Sequence, residues 1–200
     1  MTKLILLILV LGILMGIFLV PASFVTTLDT LISAGLVAML LLVGFSVGKQ
    51  KGLFKQLRRM GPRILLVPLM VAMGSILGAS LAGALILRMP WYQAGAVGAG
   101  FGWYSFVGVE LTRHSAYLGT LGFITNIIRE MAALVLIPLV VKKLGGLEAT
   151  GMSGTSAMSI ALPVISRETD ANITIIAFIS GMTLALLVPL VVPLLVGLGG

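Results

Sequence analysis

The stretch AYLGTLGFITNIIREMAALVLIPLVV, residues 116–141, is a long, mostly apolar run with Asn126, Arg129 and Glu130 near its middle, and it closes on Lys142 and Lys143. It exceeds the roughly 20 apolar residues that a membrane-crossing helix needs. Working outward, four further runs of this kind fall at 4–20, 31–48, 64–88 and 171–196, which gives five full transmembrane helices. Composition agrees: the chain is 59% apolar and 10% charged, with 25 glycines, whereas soluble domains carry about 25% charged residues. The expected fold is therefore an all-α integral membrane protein, with 1–200 forming a single transmembrane domain. The absence of cysteine excludes disulfide frameworks, thiolate metal sites and cysteine nucleophiles.

The run at 4–20 follows Lys3 and ends at Pro21; a secretory signal peptide is the rival reading of it. After the run at 31–48 comes the most basic part of the chain, Lys49, Lys51, Lys55, Arg58, Arg59 and Arg63. These cations explain much of the net charge of +7 and fit a cytoplasmic loop under the positive-inside rule, with weak attraction to anionic lipid. Nucleic acid is not expected, because the loop has no aromatic interleaving beyond Phe54. Trp91 and Tyr92, after Arg88 and Pro90, suit an outer interface.

Two intervals break the pattern, residues 94–109 and 149–165, each short, glycine-rich and hydroxyl-bearing. Each glycine weakens a helix by about 1 kcal/mol relative to alanine, so both intervals are expected to be broken or re-entrant segments. Irregular backbone at membrane depth is tolerated where it lines a cavity, and paired interruptions mark transport sites. Their similar placement after long spans suggests an inverted repeat, although no residue-for-residue repeat is visible. The rival reading is two ordinary short spans packed through small residues such as Gly98 and Gly102. With both segments re-entrant, Lys3, the basic loop, Lys142, Lys143 and Arg167 lie inside, Arg88 and Arg113 outside, and Arg129 within the membrane. That places the N-terminus inside and the C-terminus outside the cytoplasmic (inner) membrane.

Chemistry concentrates in the opening stretch. An ionisable residue at the centre of a membrane helix costs roughly 2.5–3.5 kcal/mol on insertion scales, so Arg129 and Glu130 are functional candidates. Asn126 and Glu130 are four residues apart and share a helical face that suits a cation. The rival reading is that Arg129 and Glu130 only pair with neighbours to hold the bundle together.

Four pieces, Gly100-Phe101-Gly102-Trp103-Tyr104-Ser105, Asn126-Ile127-Ile128-Arg129-Glu130, Gly154 to Pro163, and Gly181 with Pro189, occur together in this order. In these the chain resembles the lysine exporter family (LysO). The resemblance implies export of L-lysine or a related cationic amino acid, with two intramembrane acidic residues important for transport. Glu130 matches the first; at the second, within a small-residue motif ahead of Leu162-Pro163, this chain has Ser159. A hydroxyl can hydrogen-bond an ammonium group without neutralising it. The candidate substrate and proton site is thus Glu130, Asn126, Arg129, Trp103, Tyr104, Ser105, Thr155, Ser156 and Ser159. Helix N-termini in the broken segments are expected to face the substrate carboxylate. The resemblance also implies an additional N-terminal membrane segment in typical members, hence a separate small membrane subunit or a homo-oligomer here.

Proton exchange is the expected coupling, since a protonatable carboxylate can trade a substrate ammonium for a proton. No enzyme chemistry, cofactor or metal is expected. The one histidine, His114, falls in a loop beside Arg113, and Trp103 and Ser105 stand where a dinucleotide glycine pattern would continue. A passive channel, or a non-transporting subunit of a heteromeric exporter, is the alternative function.

Overall fold

The computed structural model describes residues 61–199, together with isolated helical positions between 30 and 45. The expected span 4–20, most of the span 31–48 and the basic run from Lys49 to Arg59 lie outside the described residues. Contacts divide the chain into Met1–Lys49 and Gln50–Gly200, and the helices below belong to the second unit.

A short 3-10 turn, Pro62–Leu65, leads into seven α-helices, and there is no strand among the described residues. They are α1 (Leu66–Ile86), α2 (Trp91–Gly98), α3 (Tyr104–Thr112), α4 (Ala116–Lys143), α5 (Gly146–Ser153), α6 (Leu162–Glu168) and α7 (Ala171–Gly197). Of these, α1, α4 and α7 are long and apolar enough to cross a membrane, and they coincide with the runs expected at 64–88, 116–141 and 171–196. Their starts are set locally. The Ser115 hydroxyl accepts from Leu118 N at the head of α4, and the Asp170 carboxylate accepts from Ile173 N at the head of α7. Lys142 and Lys143 complement the C-terminal end of the α4 dipole. Half of the most apolar window of α7 is buried, against 11% for α1 and 17% for α4, so α7 is the central helix of the described bundle.

Contacts fix the directions. The start of α1 lies beside the segment that follows α4, since Leu66, Val67 and Met70 share a groove with Leu147 and Glu148. Helices α1 and α4 therefore run antiparallel. From the far end of α1, α2 turns back along it, with Gly83 against Ala94 and Gly98 against Ser75 and Ala79. It stops about half-way, level with Ser75. Next α3 retreats along the first half of α4, with Leu111 against Gly122 and Thr112 against Gly119, and ends where α4 begins. The first broken segment thus enters and leaves on one side of the bundle, the side of Arg88 and Arg113. The second does the same from the opposite side: α5 starts at Gly146, which packs against Thr169 and Ile173 at the close of α6 and the start of α7. Small and branched residues pack this hairpin onto α4 and α7, in a cluster of Ile137, Ala149, Ala157, Ala161, Ile165 and Ala177. Both intervals expected to be broken are interrupted, and each forms a pair of short helices that turns back within the bundle.

Candidate functional site

The tips of the two hairpins meet in the middle of the bundle. The Phe101 carbonyl accepts from Thr155 N at 2.8 Å and from the Thr155 hydroxyl at 3.3 Å. The tips are tight because Phe101 (φ 48°), Gly102 (φ 99°) and Gly154 (φ 60°) all adopt positive φ, where side chains other than hydrogen are disfavoured. At Gly154 the reason is visible, since a Cβ there would meet the Phe101 carbonyl oxygen.

Asn126 holds the first tip. It is 2% exposed; its Oδ1 accepts from Gly102 N at 2.8 Å, while its Nδ2 donates to Val97 O at 3.0 Å and Gly122 O at 2.8 Å. The amide oxygen and nitrogen are therefore committed to backbone, Gly102 and Val97 at the break and Gly122 within α4, and Asn126 positions the site instead of offering itself to a ligand. Replacing Asn126 by leucine strands the Gly102 N–H, at about 1–3 kcal/mol, and leaves the Val97 carbonyl with only the longer 3.3 Å bond from Gly100 N. Thermal unfolding of the purified Asn126→Leu chain in detergent is expected to show a markedly lower midpoint, whereas an unchanged midpoint would contradict this role.

Arg129 holds the other side of the crossing. Its Nη1 donates to the Ser75 hydroxyl at 3.0 Å, and Ser75 in turn donates to Gly98 O at 2.8 Å. A longer contact at 3.5 Å reaches Gly151 O. The guanidinium so bridges carbonyls near the C-terminal ends of α2 and α5, where helix dipoles favour a cation.

Beside the crossing lies a cavity of about 240 Å³ lined by Trp103, Tyr104, Ser105, Glu130, Thr155, Ser156 and Ser159, among others. Seven of the residues singled out from sequence come together in it. Glu130 is half-buried near the midpoint of α4, and among the described residues its carboxylate has neither an ion pair nor a hydrogen bond. The first turn of α3 forms part of the wall, so the N–H groups of Tyr104 and Ser105, which have no partner inside the helix, are close by. Tyr104 is steadied edge-on against Phe123 of α4, with ring centroids 5.5 Å apart. Asn126 and Arg129 do not line this cavity. Arg129 lines a separate groove of about 650 Å³ between α1, α4 and α5.

A cavity at the crossing of two hairpins, carrying an unpaired carboxylate, hydroxyls and a helix N-terminus, is suited to an ammonium-bearing zwitterion. The sequence profile of the family described as Lysine exporter LysO matches residues 6–196. The chain belongs to the lysine exporter (LysO) family. It is 32% identical over 158 residues to Lysine exporter LysO of Escherichia coli, covering 78% of this chain and 52% of that protein. It is 36% identical over 108 residues to a Haemophilus influenzae protein named "Putative lysine exporter", covering 54% of this chain and 55% of that one. The chain thus matches about half the length of these two relatives. No solved structure matches it.

Membership agrees with the family resemblance read from the motifs and makes this a multi-pass membrane protein. Sequence reasoning missed Ser75, which joins Arg129 to the end of α2, and the walls supplied by Met158, Ile160 and Ala185. For Ser75 a signal existed: it is a hydroxyl in the middle of an apolar span. Ala185 gave none, since nothing in an apolar helix marks which alanine faces a cavity.

Proposed function

We propose that this chain exports L-lysine or a related cationic amino acid across the cytoplasmic membrane in exchange for protons, with Glu130 as the alternating site of ammonium and proton. The observation that carries this reading is the Glu130 carboxylate, unpaired among the described residues, in a hydroxyl-lined cavity at the meeting of the two hairpin tips. Ser105, Ser156 and Ser159 supply polar contacts to the substrate, and the first turn of α3 faces its carboxylate. Exporting one positive charge against an inside-negative potential costs about 2.3 kcal/mol per 100 mV, and one proton moving inward returns that work.

The two hairpins entering from opposite sides support an inverted repeat built of a long helix and a hairpin, which brings one gate to each membrane face. By the positive-inside rule the side with Lys142, Lys143 and Arg167 is cytoplasmic. This orientation puts the N-terminus inside and the C-terminus outside. A homo-oligomer or a small membrane subunit completes the assembly, and lysine-type substrate, protons and lipid are its partners.

The test is lysine efflux from proteoliposomes containing the purified chain, with and without an imposed proton gradient. Saturable efflux that the gradient accelerates is expected. Non-saturating leakage would identify a channel, and efflux no faster than from empty vesicles would overturn the reading.

Ser159 offers a graded prediction. It is exposed on the cavity wall, where the resemblance implies an aspartate. A carboxylate at an exposed position adds roughly 0.2–1 kcal/mol of attraction. The Ser159→Asp chain is therefore expected to lower the KM for lysine by up to about fivefold, with little change for neutral amino acids. Equal effects on both substrate types would place Ser159 outside the ammonium's reach.

A further inference from the structure

The second cavity is the groove between α1, α4 and α5, and it shares no lining residue with the Glu130 cavity. Val67, Met70 and Val71 of α1 make an apolar wall; Arg129 and Ser75 lie deeper, and Glu148 lines it near the start of α5. Arg129 has five N–H donors, and the Ser75 hydroxyl and the Gly151 carbonyl engage two of them. Among the described residues no carboxylate pairs with it. A guanidinium does not shed its proton, so its missing complement is an anion, and its planar fork matches a carboxylate. Depth narrows the choice. At 1.5 Å per residue, Arg129 lies about 20 Å along α4 from either end, well below the level of a lipid phosphate.

We propose that this groove is a second binding site, one that takes the carboxylate of an α-amino acid on Arg129 with the side chain lying along α1. The choice of an amino acid as ligand rests on the export reading above. The aliphatic part of a lysine-type side chain lies against Val67, Met70 and Val71, as long cationic side chains do on apolar surfaces. Its ammonium end points towards Glu148, one helical turn from Gly151 on α5. Arg129 and Glu130 are consecutive, and the helical turn of about 100° between them sends the two charged side chains to different cavities beside the hairpin crossing. Because the crossing is itself tied together by Arg129, a carboxylate arriving in the groove competes for the donors that reach Ser75 and Gly151. Substrate in the groove is thereby coupled to the seam between the hairpins.

Calorimetric binding to the full chain in lipid nanodiscs tests this with three probes: L-lysine, L-norleucine, which lacks the side-chain cation, and cadaverine, which lacks the carboxylate. In the wild-type chain norleucine and cadaverine are expected to bind together without competing, because they occupy separate cavities. Mutual exclusion would mean one site and would overturn the proposal. Arg129→Gln is expected to weaken norleucine by about tenfold or more, the loss of a charged hydrogen-bonding partner, and to leave cadaverine unchanged. Arg129→Lys is expected to retain part of the norleucine affinity. Equal losses for norleucine and cadaverine in Arg129→Gln would show that Arg129 only braces the hairpins. The two readings fail separately: an Arg129-dependent norleucine site without any lysine efflux sinks the export reading alone. Efflux that depends on Glu130, with norleucine binding indifferent to Arg129, sinks the groove site alone.

Discussion

Chains carrying Glu130→Gln are expected to insert and fold normally and to export no lysine above background. The fold is preserved because the substitution is nearly isosteric and because, among the described residues, the carboxylate holds no ion pair or hydrogen bond that the bundle relies on. Export fails for two reasons that act together. A glutamine amide leaves a substrate ammonium without its counter-charge in a half-buried cavity, which costs about 2–5 kcal/mol and lowers affinity on the order of a hundredfold. It also cannot take up a proton, so the exchange has no returning charge even where substrate still binds. Efflux from lysine-loaded proteoliposomes checks the outcome, with the thermal midpoint of the same sample as the control for folding. Glu130→Asp separates the two contributions, since it keeps the charge but withdraws it by one methylene; partial efflux with a raised KM is expected. Wild-type efflux from Glu130→Gln would remove Glu130 from the mechanism.

Much of this was legible in the sequence, because the membrane imposes simple rules on apolar length. The helices at 66–86, 116–143 and 171–197 follow from runs long and apolar enough to cross a membrane. Glycine density marked both interruptions, though not whether the chain would cross or turn back. That depends on partners far away: Gly98 beside Ser75, and Gly146 beside Thr169. The site was legible as a set of residues but not as a geometry. Asn126 and Glu130 do share a face, yet local spacing cannot say that the Asn126 amide is consumed by Val97 and Gly102. Arg129 and Glu130 are adjacent in the chain and were grouped as one site, whereas they line different cavities. The Thr155 to Phe101 contact joins residues 54 apart, and no local preference predicts such a meeting.

The crossing of the tips tolerates no side chain at Gly154, and Gly154→Ala is expected to cost the protein most of its stability and its transport. The residue sits at φ 60° and ψ −130°, a region essentially reserved for glycine, where another residue stores about 1–3 kcal/mol of strain. Its added Cβ would meet the Phe101 carbonyl oxygen and stand 3.2 Å from Arg129 Nη2. Neither neighbour can yield cheaply. The carbonyl is held by Thr155 N at 2.8 Å, in a turn where Phe101 already has positive φ, and the guanidinium is tethered to Ser75. Relief therefore requires the two hairpins to separate, which adds an overpacking cost of about 1–3 kcal/mol and breaks the bond between the tips. Separation also opens the wall that divides the Glu130 cavity from the Arg129 groove, so substrate would no longer meet a gated path. The expected result is a chain that still enters the membrane, since the three long helices among the described residues are untouched, but unfolds at a much lower temperature and fails to accumulate or expel lysine under control of the proton gradient. Thermal scanning in detergent and gradient-driven efflux in proteoliposomes read these two effects. An alanine chain with wild-type values in both would mean that the tips do not meet as described.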